Sequence, residues 1–210
     1  MTRNETAVWN RFSGIYDVII KKDMPAYGAI IERVKALLKP ESRVFEIATG
    51  TGCIALGIAE SAQNVEAADI SPDMIERAKK KAQRMGISNV RFSVQDVCAL
   101  PYHANSFDTV IIANTLHIMP QPEKALAEIR RVLTPDGCLV APTFVYVGKK
   151  AAVLSRLMSL TGFRVYHKWS EKSYLQFLVD NGFSMTEGVL LKSSFPIAYV
   201  EARKTGGPSV

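Results

Sequence analysis

Nine residues constrain this chain more than any other stretch: Val44-Phe45-Glu46-Ile47-Ala48-Thr49-Gly50-Thr51-Gly52. An apolar strand carrying a carboxylate runs into a glycine turn. The run Cys53-Ile54-Ala55-Leu56-Gly57-Ile58-Ala59 then continues as an apolar helix. Gly50 and Gly52 remove side chains where the backbone must bend sharply and approach a ligand closely. The following helix presents free N–H groups and the positive end of its dipole. A strand, a glycine turn and a helix in that order predict an α/β chain with a nucleotide-type site at the turn.

The turn alone does not say which nucleotide. Gly50-x-Gly52-x-x-Ala55 satisfies the dinucleotide fingerprint G-x-G-x-x-G/A, and the same turn also serves as a plain strand-to-helix connection. Asp69 ends the next apolar run, Val65-Glu66-Ala67-Ala68-Asp69, where an acid can accept hydrogen bonds from both hydroxyls of a ribose. Three features then separate the readings. Glu46, on the strand before the turn, suits a ligand with a cationic amino-acid end and repels a pyrophosphate. Val90-Arg91-Phe92-Ser93-Val94-Gln95-Asp96-Val97 reads as a third strand ending in Asp96, placed to accept from an adenine amino group. Ser106 to Asn114 reads as a fourth, buried strand, followed by a helix and by the turn Leu133-Thr134-Pro135-Asp136-Gly137 into a fifth.

In this order and spacing the chain resembles the class I S-adenosylmethionine-dependent methyltransferases, closely over residues 40–145 and loosely elsewhere. One departure is Ala48, where that family usually has glycine. An added methyl restricts φ and predicts a slightly altered turn. The segment Phe12-Ser13-Gly14-Ile15-Tyr16-Asp17 looks like the Tyr-Asp helix of the quinone-biosynthesis methyltransferases and of bacterial phosphatidylethanolamine methyltransferases. The resemblance implies a Rossmann-like, seven-stranded sheet, mostly parallel with a C-terminal antiparallel hairpin and helices on both faces. It implies S-adenosylmethionine as cofactor. Glu46 and the backbone of Ala48, Thr49, Gly50, Thr51 and Gly52 would hold the methionyl end, and Asp69 the ribose. Ile70 and Met74 would lie against the adenine, with Asp96 and Val97 at its amino edge. Asn114 would face the sulfur, and Tyr16 would close over the cofactor. His117, one turn after Asn114, is the candidate general base, and a wall residue is the competing reading.

Methyl transfer from a sulfonium needs alignment and a dry site more than a dedicated catalytic group. A clear cofactor site without an obvious catalytic constellation is therefore consistent. Asn114-Thr115-Leu116-His117 lacks the Pro-Pro-Tyr/Phe run of methyltransferases that act on planar amide or base nitrogens. No basic stretch is interleaved with aromatics, which argues against nucleic acid. Two other classes stay open. One is a non-catalytic cofactor-binding regulator or lipid-binding module. The other is an NAD-dependent short-chain reductase, for which Tyr146-x-x-x-Lys150 has the spacing; but Ile54 stands where that family needs a glycine.

The 210 residues suit one domain. A hydrophobic content of 48% is ordinary for a globular chain, and no apolar run approaches the ~20 residues of a membrane span. The polar start Met1-Thr2-Arg3-Asn4-Glu5 has no signal-peptide pattern. Cys53, Cys98 and Cys138 are scattered, and with His103, His117 and His167 they show no metal-ligand spacing. These features predict a cytoplasmic protein with reduced thiols and no metal site. The net charge of +6 is uneven. Residues 1–40 carry seven basic and four acidic side chains, residues 41–147 ten and twelve, and residues 148–210 nine and four. A slightly acidic core between basic flanks favours an amphipathic or anionic small-molecule substrate, a lipid or a quinone, with peripheral membrane contact.

Within the single domain, residues 1–40 form an N-terminal helical cap and 41–147 the cofactor-binding core. The core comprises strands at 43–48, 65–69, 90–95, 107–113 and 138–145. Its helices lie at 53–62, from Pro72 to Gly86, and at 121–133. Residues 148–169 hold an inserted basic helix or lid, whose amphipathic part, 149–163, carries Val153, Leu154, Leu157 and Met158 with Lys149, Lys150 and Arg156. Ser170 caps a helix that stops at Asn181-Gly182, strands 184–192 and 196–203 form the hairpin, and 204–210 is a loose tail.

Overall fold

The computed structural model describes residues 3–146 and 164–205. The inserted helix expected at 149–163 lies outside the described residues, as does most of the tail.

Eight strands form one sheet: β1 (Arg43–Ile47), β2 (Asn64–Asp69), β3 (Val90–Val94), β4 (Phe107–Ile112), β5 (Leu133–Val140), β6 (Thr143–Phe144), β7 (Phe183–Leu191) and β8 (Ile197–Lys204). The order β3-β2-β1-β4-β5 is parallel throughout. β8 then runs antiparallel to β5 and pairs antiparallel with β7 on its other side. Seven α-helices are described: α1 (Arg3–Ser13), α2 (Tyr16–Ile20), α3 (Met24–Leu37), α4 (Cys53–Ile58), α5 (Pro72–Met85), α6 (Pro122–Val132) and α7 (Glu171–Asp180).

The central strands are apolar on both faces because helices cover both. Successive side chains of a strand point to opposite faces, and the two cores follow that alternation. Phe45, Ile47, Val110, Ile112 and Leu139 pack with Leu126 and Ile129 of α6 and with Tyr174 and Leu178 of α7. Val44, Ile111 and Val140 pack on the other face with Ile30 and Val34 of α3, Ile54 and Ile58 of α4, and Ile75 and Ala78 of α5. Full burial of each large side chain contributes about 1.5–3 kcal/mol.

Local chemistry sets the element ends. The Ser71 hydroxyl accepts from the Met74 N–H at 3.2 Å and Pro72 opens α5, which ends at Gly86 with φ 69°. Ser170 and Ser173 form a reciprocal cap on α7, followed by Gly182 at φ 82°. Pro25 lies in the first turn of α3, where a missing N–H breaks no intrahelical bond. The buried Asp23 carboxylate accepts from the Ser193 hydroxyl and the Ser194 N–H, both at 2.7 Å, and so ties the cap to the loop between β7 and β8.

One expected strand divides. Residues 138–145 give the end of β5 and the two-residue β6, which pairs with the start of β8 along the edge that β5 occupies further on. Pro142 lies at the break and has no N–H to offer the ladder. Its carbonyl turns instead to the Asn114 N–H at 2.8 Å. The seven-stranded expectation thus becomes eight, the extra strand being a short continuation of the fifth. Among the described residues no helix is long and apolar enough to cross a membrane.

Candidate active site

The strand order reverses between β1 and β4. In open parallel sheets, ligands bind in the crevice outside the carboxyl ends of the strands at that point. A cleft opens there, lined by residues that follow β1 (Ala48, Gly50), end or follow β2 (Asp69, Ile70), follow β3 (Gln95, Val97) and follow β4 (Ala113, Asn114, Thr115). Trp9 and Tyr16 of the cap, Ile47, Met74 and Ile118 complete it.

Ala48, Gly50 and Gly52 all have positive φ, at 54°, 56° and 80°. Ala48 therefore adopts the conformation a glycine would take and carries it as strain. A Cβ at Gly50 would stand 3.2 Å from the Tyr16 ring, and one at Gly52 3.1 Å from the Phe92 ring. A side chain at either position would be strained by the left-handed backbone and would press on an aromatic ring.

Two buried carboxylates hold the turn. Glu46 Oε2 accepts from the Thr49 hydroxyl at 2.5 Å and from the Ala55 N–H at 2.8 Å. It thereby caps α4 from a neighbouring strand, a role that sequence reading did not assign to it. Burial, opposed by those two bonds, pushes its carboxyl up to about 8. Asp69 is also buried, and its two oxygens accept from the Gly50 and Ser71 N–H groups, each at 2.9 Å. Burial raises its pKa against the pull of these backbone donors. Each oxygen of Asp69 retains acceptor capacity beyond this bond. The carboxylate thus joins the glycine turn to the cap of α5.

Asn114 ends β4 at φ 51°. Its Nδ2 donates to the Tyr27 hydroxyl at 3.1 Å, and its backbone is held by Pro142. The Tyr27 hydroxyl is also bonded to that of Tyr16, and burial raises the pKa of both tyrosines. The Asn114 side chain is thus held through Nδ2, while Oδ1 is left over. Among the described residues it has no hydrogen-bond partner, and neither does Gln95 Oε1. Both residues line the cleft. Buried polar atoms without partners are rare and call for a reason.

Of the residues expected in the site, Tyr16, Ala48, Gly50, Asp69, Ile70, Met74, Val97 and Asn114 line the cleft. Glu46, Thr49, Thr51, Gly52 and Asp96 stand behind or beside that lining. The Thr51 hydroxyl donates to Asp17 Oδ1 at 2.5 Å, and Lys81 Nζ reaches both at 3.0 Å, so the cap is latched to the turn. Asp96 Oδ1 accepts from the Cys98 N–H at 2.9 Å. His117 is buried beneath the cleft wall between Thr115 and Ile118. Its Nδ1 lies 3.1 Å from the Thr143 hydroxyl, and its ring meets that of Phe144 edge-on. Burial, with His167 nearby, lowers its pKa to about 3. Among the described residues no group of three His, Cys, Asp or Glu could hold a metal.

Gln95 and Trp9 escaped the sequence reading. Gln95 stands beside Asp96 at a strand end, so the rule that selected Asp96 could have selected it too. Trp9 lies on α1 and Tyr16 opens α2, and their rings meet edge-on at 6.5 Å.

The sheet order, the glycine turn after β1 and the acid at the end of β2 define a Rossmann-like fold of the class I methyltransferase type. A family model described as a methyltransferase domain matches residues 38–182, and the chain belongs to that family. The demethylmenaquinone methyltransferase of Thermus thermophilus is 42% identical over 111 residues, 52% of this chain and 50% of that protein. A ubiquinone/menaquinone biosynthesis C-methyltransferase of Rickettsia akari is 31% identical over 158 residues, 68% of this chain and 62% of that protein. The chain thus spans about half to three-fifths of the length of these curated relatives. Among solved structures, magnesium protoporphyrin IX methyltransferase from Synechocystis, with SAH bound, superposes with a TM-score of 0.71 at 22% identity, covering 89% of this chain and 87% of that one. The [4+2]-cyclase SpnF superposes with a TM-score of 0.73 at 23% identity, covering 86% and 82%. These two likenesses show the fold.

Proposed function

We propose that this chain transfers the methyl group of S-adenosylmethionine to a small amphipathic acceptor, a quinone-type ring being the best match. The observation that carries the cofactor assignment is the pair of partnerless buried oxygens, Asn114 Oδ1 and Gln95 Oε1, in a cleft that also holds Asp69. Acceptor oxygens beside an ionisable carboxylate suit a ligand rich in donors and positive charge, and suit a pyrophosphate poorly. Ile47, Ile70, Met74, Val97 and Ile118 supply the apolar surface for a planar base.

S-adenosylmethionine, when bound, supplies an electrophilic methyl on a cationic sulfur that becomes neutral on transfer. The residues here bind, orient and exclude water. Asp69 would take the ribose hydroxyls while still holding Gly50 and Ser71. Asn114, fixed by Tyr27 and Pro142, presents a carbonyl dipole of fixed direction. Glu46 holds the turn through Ala55 and Thr49. Tyr16 and Trp9 cover the cleft from the cap, and a dry site strengthens every dipole within it. His117 is read as a wall residue, because a pKa near 3 leaves it a weak proton acceptor.

The quinone-type acceptor rests on the names of the relatives and on the apolar cleft lining. A fold neighbour that is a cyclase shows that fold does not carry methyl transfer by itself. Titration calorimetry with S-adenosylmethionine, its demethylated product and NADH tests the cofactor. Methyl transfer to a short-tailed naphthohydroquinone, followed by mass spectrometry, tests the acceptor. Cofactor binding without methylated product from quinone-type or lipid acceptors would favour the non-catalytic module, and binding of NADH alone would overturn the assignment.

A further inference from the structure

The α2 turn places three large aliphatic side chains in solvent. Val18 is 72% exposed, Ile15 52% and Ile19 50%. Their spacing, i, i+3 and i+4, puts them on one face of the helical turn, and Lys22 follows on the same face. The opposite face is occupied: Tyr16 packs on Gly50 and Ile20 is buried. A single exposed aliphatic residue is ordinary, but a contiguous apolar group rimmed by charge marks a contact surface.

The rim is basic. Asp17 lies in a shallow surface depression with Arg77, Lys80, Lys81, Gln83 and Arg84 of α5. Gly14 abuts the Arg77 guanidinium, so residues 14–17 run along the basic side of α5. Lys21 and Lys22 are exposed at the other end of α2. Asp17 pairs with Lys81, and Glu76 with Lys80, which offsets two of these positive charges. Lys21, Lys22, Arg77 and Arg84 leave the balance beside the apolar turn positive.

From this arrangement we infer that α2 and the basic side of α5 form a docking face for an anionic phospholipid surface, with Ile15, Val18 and Ile19 entering the interface. Apolar insertion and attraction between basic side chains and anionic headgroups act together in such a face. A second copy of this chain is the poorer occupant, because a two-fold contact would set Lys80 and Arg84 against their own counterparts. The inference goes beyond methyl transfer and does not rest on it. It also places the docked surface beside the cleft, since Tyr16, next to Ile15, lines it.

The test is sedimentation of the full chain with vesicles of phosphatidylglycerol in phosphatidylcholine, against phosphatidylcholine alone, at low and high salt. The protein should sediment with the anionic vesicles and be released by salt. Lys80→Gln/Arg84→Gln should weaken partition by about fivefold per charge. Val18→Ser/Ile19→Ser should weaken it by about tenfold or more. Both variants should keep wild-type affinity for S-adenosylmethionine by calorimetry, which separates failure of this surface from failure of the cofactor site. Wild-type protein that stays in solution overturns the inference. So does a Val18→Ser/Ile19→Ser variant that binds vesicles as tightly as wild type. Self-association abolished by the same substitutions, without vesicle binding, would instead assign the face to a second copy.

Discussion

Replacing Asp69 by alanine tests the claim that one carboxylate both holds the glycine turn and serves the ligand. The side chain is buried and accepts from two backbone donors, Gly50 N–H and Ser71 N–H, each at 2.9 Å. Hydrogen bonds to a charged group contribute about 1.5–3 kcal/mol each, which bounds the loss at roughly 3–6 kcal/mol. Two effects reduce it. The carboxylate itself is held at a desolvation cost, seen in its raised pKa. Water entering from the cleft can also rehydrate the two freed N–H groups. The expected loss is therefore about 2–4 kcal/mol, within the roughly 5–15 kcal/mol that a domain has available. Asp69→Asn keeps one carbonyl oxygen, so it should lose about half as much.

Urea unfolding measures this part, and calorimetry with S-adenosylmethionine measures the other. In Asp69→Ala the affinity should fall by about tenfold or more, because ribose hydroxyls would lose charge-assisted partners. A urea midpoint equal to wild type would refute the structural role. A folded variant with unchanged affinity would remove Asp69 from the ligand site. The two roles fail separately.

Glu46→Gln should preserve the acceptor oxygen for Thr49 and Ala55 while removing the titration. Between about pH 4.5 and 8 the unfolded chain gives up the Glu46 proton and the folded chain keeps it, so wild-type stability should fall relative to Glu46→Gln as pH rises through that window, read from urea midpoints. His117 behaves in the opposite sense: between about pH 6.5 and 3 the unfolded chain takes a proton that the folded chain refuses, so acidification should cost wild type more stability than His117→Asn. If His117 is a wall residue, His117→Asn should also lower kcat only a few-fold, and a loss of about 10²-fold with intact cofactor affinity would restore it as a base. Ala48→Gly relieves about 1–2 kcal/mol of left-handed strain and gives back about 0.4–1 kcal/mol in unfolded-chain freedom, so its thermal midpoint should stay level or rise slightly, whereas Ala48→Val should lower it.

What could be read from the sequence was what depends on neighbours in the chain. The alternation of Val44, Phe45 and Ile47, the Ser71-Pro72 start and the glycine stops at 86 and 182 are local chemistry, and their element boundaries fall within one or two residues of expectation. The split of 138–145 was also announced locally, by Pro142. It was passed over because the apolar run continues across it, and a run reports burial without reporting which N–H groups are paired. Contacts between distant residues left no such trace. Tyr27 is 87 residues from Asn114, and nothing in the amphipathic pattern of α3 distinguishes a core tyrosine from one that orients a strand-end amide.

The two acids show why the candidate site was found while part of its working was missed. Glu46 and Asp69 were selected as ligand contacts because a carboxylate suits a cationic amino-acid end and can accept from ribose hydroxyls. That argument finds the place but not the partner. In the fold the first partners of both belong to the turn and to the helix starts that follow: the Thr49 hydroxyl and the N–H groups of Ala55, Gly50 and Ser71. A residue that satisfies the turn also fixes where the turn's remaining polar groups point. Asp69, with acceptor capacity left on each oxygen and a place in the cleft lining, can serve ligand and fold together. Glu46, whose Oε2 accepts from both Thr49 and Ala55 and which does not line the cleft, is tied to the fold first, and substitutions there should reach the ligand mainly through the geometry of Ala48 to Gly52.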